Sequence, residues 1–131
     1  MEEIFELTPE DELFEILFDI AKARGYNFDT FVKRCTDKNR SYKQCEEIWS
    51  QFINVAKTLV ANGRKTPYEA VIWLAETAFP VKMVKPTAML SEKAARLSNI
   101  YFIQEHEKRL TELGQALKQE EESFYSHYEF K

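Results

Sequence analysis

The sequence predicts an all-α fold: a single small helical bundle of about five helices, the last of them long. Three observations carry that prediction. Chain breakers are scarce, with three Gly and four Pro in 131 residues, while aromatic side chains are plentiful at ten Phe, six Tyr and two Trp. Helix-start signals recur ahead of apolar periodic runs, at Thr8-Pro9-Glu10-Asp11, Ser41-Tyr42-Lys43-Gln44 and Thr66-Pro67-Tyr68-Glu69. The stretch from Leu90 to Tyr128 holds no Pro and a single Gly, Gly114. A chain of this length suits one domain and is long enough for a real core. Residues 1–86 are read as a helical core domain. Residues 87–131 are read as a long C-terminal helix, partly packed on that core and partly a projecting seam.

Glu2 to Leu7 reads as an extended arm with Ile4, Phe5 and Leu7 available for docking. Thr8 then caps a first helix, with Pro9 at its first position and acids in its first turn. This helix is expected to run to about Arg24 and stop at Gly25. Leu13, Phe14, Ile16, Leu17, Ile20 and Ala21 form its inner face, and Glu12, Glu15, Asp19 and Lys22 lie opposite. Asp29 is a candidate cap for a short second helix, Thr30 to Thr36, burying Phe28, Phe31, Val32 and Cys35. After a polar turn, Ser41 and Gln44 make a capping box for a third helix, Tyr42 to Ala61, closed by Asn62-Gly63. Its wide apolar face holds Cys45, Ile48, Trp49, Phe52, Val55, Ala56, Leu59 and Val60. The fourth helix, Pro67 to Phe79, is apolar almost all round and should be the most buried, with Pro80 ending it. Val81 to Thr87 is the clearest linker. Trp49, Phe52, Trp73 and Leu74 are expected to be buried where the third and fourth helices pack.

The last helix carries two apolar faces. Leu90, Ala94, Leu97 and Tyr101 fall on one side, while Ile103, His106, Leu110, Leu113, Leu117 and Phe124 fall roughly opposite. Either the helix is continuous and its halves meet different partners, or it breaks near Asn99 and both pieces fold onto one core. A continuous helix over residues 91–124 spans about 50 Å, more than the roughly 30 Å width of the remaining domain. Length therefore favours a first half docked on the domain and a second half that projects. The spacing 103, 106, 110, 113, 117, 120, 124 alternates threes and fours as a coiled-coil seam does. Ile103, Leu110, Leu113, Leu117 and Phe124 are accordingly the expected protein-binding residues, with a homodimer as the leading partnership. The alternative is a last helix folded back into a monomeric bundle.

Chemistry is sparse. His106 and His127 lack the acid or thiol spacing of a metal site, and no Glu-x-x-His pair exists, so no metal and no cofactor is expected. The carboxylates of the first and fourth helices face away from the apolar stripes and read as solvated. No glycine-rich phosphate loop is present. Cys35 has basic neighbours, but its phase with Phe31 and Val32 suits a buried structural thiol. Cys35 and Cys45 are expected to be reduced. No apolar run reaches the ~18 to 20 residues a membrane span needs, so no membrane association is expected, and a cytoplasmic location is.

Charge is uneven. Residues 1–20 hold eight acids and no base, whereas residues 21–45 hold seven Lys or Arg against Asp29 and Asp37. Lys33, Arg34, Lys38, Arg40 and Lys43, with Tyr42, therefore form a candidate anion- or partner-binding stretch. The leading functional expectation is a non-enzymatic protein–protein interaction protein: a self-associating adaptor, accessory subunit or inhibitor that occupies a partner's surface. Nucleic-acid-associated accessory function through residues 33–43 is the alternative, disfavoured by the acidic ends of the chain. An unrecognised enzyme ranks third. Small helical phage-encoded inhibitors and accessory subunits of nucleoprotein machines are similar in composition, a likeness of class resting on no motif.

Overall fold

The computed structural model describes residues 8–36, 40–81 and 91–129. Among these the chain forms five helices and no strand: α1 (Pro9–Ala23), α2 (Phe28–Thr36), α3 (Tyr42–Ala61), α4 (Pro67–Ala78) and α5 (Glu92–Glu129). The all-α bundle with a long last helix is thus observed. The expected N-terminal arm, most of the 81–87 linker and Lys38 lie outside the described residues, as does the side chain of Cys35.

Local chemistry sets the helix starts. Thr8, Ser41 and Thr66 each accept a hydrogen bond from the backbone N–H three residues on. The side chains of Asp11, Gln44 and Glu69 accept in return from the cap's own N–H. Two otherwise orphaned donors are satisfied at each start. The hydrogen bonds from the Thr66 backbone and side chain hold the Glu69 carboxyl below its ordinary pKa. The start of α2 differs from expectation. Asn27, not Asp29, caps it: its Oδ1 accepts from the Thr30 N–H at 3.0 Å, and its Nδ2 donates to the Lys22 carbonyl at 3.0 Å. One side chain therefore closes α1 and opens α2.

Two helix ends share a motif. Tyr26 N–H donates to the Ala21 carbonyl and Gly25 N–H to that of Lys22. Arg64 and Gly63 repeat the pattern onto Leu59 and Val60. This double bond requires a left-handed residue after the cap, and Gly25 (φ 102°) and Gly63 (φ 70°) supply it.

The bundle is built on α1 and α4, which pack against each other. Both α3 and α5 rest on that pair, and α2 packs on α3. Helix α4 contributes Pro67, Ala70, Val71, Leu74, Ala75 and Ala78 to the interior, so its small residues allow close approach on several sides. Trp49 joins the elements. Its ring lies 6.2 Å from Phe18 of α1, 5.2 Å from Phe31 of α2 and 6.2 Å from Phe79 after α4, the last edge-on. Trp49 and Leu74 are buried as expected; Phe52 and Trp73 meet edge-to-face at 6.5 Å and are half-buried. Val55 is corrected: it is 45% exposed, because the apolar arc of α3 is wider than its neighbours cover.

Helix α5 corrects the largest expectation. It is continuous over 38 residues, about 57 Å at ~1.5 Å per residue, so it does not break near Asn99. Its second half is the docked half. Leu113 and Leu117 are 0% exposed, and Leu110 and Phe124 pack against the same core. Gly114 belongs to this contact: a Cβ there would meet the Tyr68 hydroxyl at 2.8 Å, so glycine leaves room for the tip of the Tyr68 side chain against α5.

Candidate functional site

On the first half of α5 the large apolar side chains face outward, while Ala95 is buried. Leu97 is 58% exposed, Ile100 50%, Tyr101 61%, Phe102 48% and Ile103 37%. Leu97, Ile100 and Tyr101 fall within one arc of about 100°, and Leu113, Leu117 and Phe124 lie about 180° from it. The helix is therefore anchored along one face at its C-terminal end and bare along the opposite face at its N-terminal end. Ser91 caps it, accepting from the Ala94 N–H at 3.1 Å, and Glu92 pairs with Arg96 at 2.8 Å one turn on. These local bonds keep the exposed half helical where the bundle does not reach.

Of the five residues expected to bind a partner, Ile103 alone belongs to this exposed group. Leu110, Leu113, Leu117 and Phe124 are committed to the chain's own core and do not form a projecting seam. The physical reason is that a three–four apolar spacing suits a helix laid along neighbours in its own bundle as well as a coiled-coil partner. Of the residues that sequence reasoning misses as candidates, Leu97 and Tyr101 are visible as part of the second apolar face but are assigned to the domain, and Ile100 is placed on neither face.

The basic stretch is only partly assembled. The Arg34 guanidinium donates to the Pro80 carbonyl at 3.2 Å and sits 5.5 Å over the Phe79 ring. It helps hold α2 to the end of α4. Lys33, Arg40 and Lys43 are exposed, as is Tyr42 at 59%, although its ring meets Phe28 edge-on at 5.6 Å.

Arg34 also bears on two titratable groups, His106 and Tyr26. Burial holds the His106 imidazole below its ordinary pKa, and Arg34 and Arg109 push the same way; Glu76 and Glu107 oppose them. Tyr26 stacks edge-on to Phe79 at 5.3 Å with its hydroxyl buried. Burial raises its phenol pKa against the pull of Arg109 and Arg34. A shallow depression of about 220 Å³ between α1 and α3 is lined by Asp11, Phe14, Glu15, Lys57 and Val60. A Lys57–Glu15 ion pair of 3.0 Å lies on its rim, and the lining holds no hydroxyl, thiol or imidazole side chain. It is smaller than the roughly 300 Å³ at which small-molecule pockets begin. No group of three or more potential metal ligands occurs among the described residues, and none of their helices is long and apolar enough to cross a membrane.

Comparison with protein families, with curated proteins and with solved structures found no match.

Proposed function

We propose that this protein is a non-enzymatic interaction module whose working surface is the exposed first half of α5. The observation that carries this reading is the group Leu97, Ile100, Tyr101 and Ile103, all more than a third exposed on a helix whose other half is locked into the core. Single exposed apolar residues are ordinary, but several together on one element mark a surface shaped for a partner. Adaptor, accessory-subunit and inhibitor roles all use such a surface.

A second reading, nucleic-acid association, rests on the exposed Tyr42 beside Arg40 and Lys43. It is the weaker one, since Arg34 is occupied by Pro80 and Phe79.

The test is capture on immobilised full-length chain, comparing wild type with a Leu97→Glu, Tyr101→Glu double variant of unchanged melting temperature. Binding partners, including tagged copies of the chain itself, should be retained by wild type and lost by the variant. Identical retention by both would remove the α5 surface from the function.

A further inference from the structure

We infer that the exposed face of α5 pairs with the same face of a second copy, antiparallel, about a twofold axis at Ile100. This deepens the interaction reading above and rests on it. The argument starts from one column of side chains. Lys93, Ile100 and Glu107 are seven residues apart, so they fall on nearly one line along the helix, drifting by only about 20° per step. All three are exposed. Laid antiparallel with Ile100 on the axis, the column is complementary to itself: Ile100 meets Ile100, and each Lys93 stands at the height of the other chain's Glu107. A parallel pair would instead set Lys93 beside Lys93 and Glu107 beside Glu107, and like charges face to face disfavour that arrangement.

The apolar residues flank the same column. Leu97 and Tyr101 lie on one side of it and Ile103 on the other, so both sides of the Ile100 contact are closed over by apolar surface. The geometry of the whole chain permits it. The core contacts of α5 are made from residues 110–124 on the opposite face, so the antiparallel pair carries its two bundles at opposite ends and on outward sides. The extent of the patch sets the strength. Four side chains at 37–61% exposure offer roughly 400 Å² per chain, about half of the ~800 Å² per partner typical of a stable complex. Interfaces this small are those of weak, transient complexes, so the dimer should be reversible, with a dissociation constant on the order of tens of micromolar.

Sedimentation velocity of the full chain over a wide concentration range tests this. Wild type should shift from monomer to dimer across roughly 10 to 500 µM. Ile100→Glu should stay monomeric throughout, with unchanged circular dichroism. Lys93→Glu and Glu107→Lys should each weaken the dimer about fivefold, and the double variant should return to within about twofold of wild type. A wild type monomeric at the highest concentration overturns the inference, as does a dimer indifferent to Ile100→Glu or a double variant no better than either single one. The interaction reading fails separately. A monomeric wild type that still captures a foreign protein lost by the Leu97→Glu, Tyr101→Glu variant defeats self-pairing alone, and absence of both defeats the two together.

Discussion

His106 shows how one residue ties the chemistry of α5 to the bundle. It lies at the point where the helix passes from bare to docked, beside groups from three elements: Arg34 of α2, Glu76 of α4, and Glu107 and Arg109 of α5 itself. Burial and the two guanidinium groups favour the neutral imidazole more than the two carboxylates favour the cation, so the folded-state pKa is below the unfolded value of about 6.5. The sign of the consequence follows by linkage. A histidine whose pKa is depressed by folding contributes stability above its unfolded pKa, and that contribution is lost as pH falls through the lower, folded value. Wild type should therefore lose more melting temperature between pH 7 and pH 5 than His106→Gln, which has no proton to take up. Melting curves of the two proteins that stay parallel across that interval would show that His106 is not felt by the fold. His106 was legible in the sequence as the weak position of an apolar stripe. Its neighbours from α2 and α4 were not, because nothing local places Arg34 or Glu76 beside it.

At the scale of elements, the starts of α1, α3 and α4 were legible because each is set by four consecutive residues, as Thr66 and Glu69 illustrate with their paired bonds of 3.1 and 2.9 Å, whereas the start of α2 was not, because Asn27 also binds back to Lys22 of α1. The long helix was legible as two-faced for the same local reason. Which face meets the core was not legible. Both faces are apolar, and the choice depends on where the connection after Phe79 delivers the start of α5, a tertiary matter. The length argument was wrong about the half that docks, since Leu113 and Leu117 of the second half are in the core. Energetics now separate the halves. Leu113 and Leu117 have no exposed surface, so replacing either with Ala removes buried methyl groups and leaves a cavity, a loss of about 2 to 5 kcal/mol in a two-state denaturant melt. Leu97→Ala, at 58% exposure, should change stability by no more than ~0.5 kcal/mol. Equal losses at positions 97 and 113 would mean that the two halves of α5 are held alike.

For the whole molecule, α5 is both a wall of the bundle and an extension from it, and the two parts should open differently. Residues 110–124 share their core with α1 and α4, so their amides can exchange with solvent only when that packing is broken. Among residues 92–103 only Ala95 is buried, and the Ser91 cap and the Glu92–Arg96 pair add local bonds to those of the helix backbone. An isolated helix of about a dozen residues is marginal in water, so this part should open locally, without unfolding the bundle. Hydrogen exchange on dilute protein should accordingly show protection rising along α5 toward the C-terminal half, reaching the global value near Leu113 and Leu117. Destabilising the core through Leu117→Ala should speed exchange in the second half and leave the first nearly unchanged, since the first opens by its own route. Raising the protein concentration should act in reverse, slowing exchange over residues 93–107 as copies pair and leaving the second half as it was. Uniform exchange along the whole helix, unaffected by concentration, would make α5 a single cooperative unit with no free face to offer.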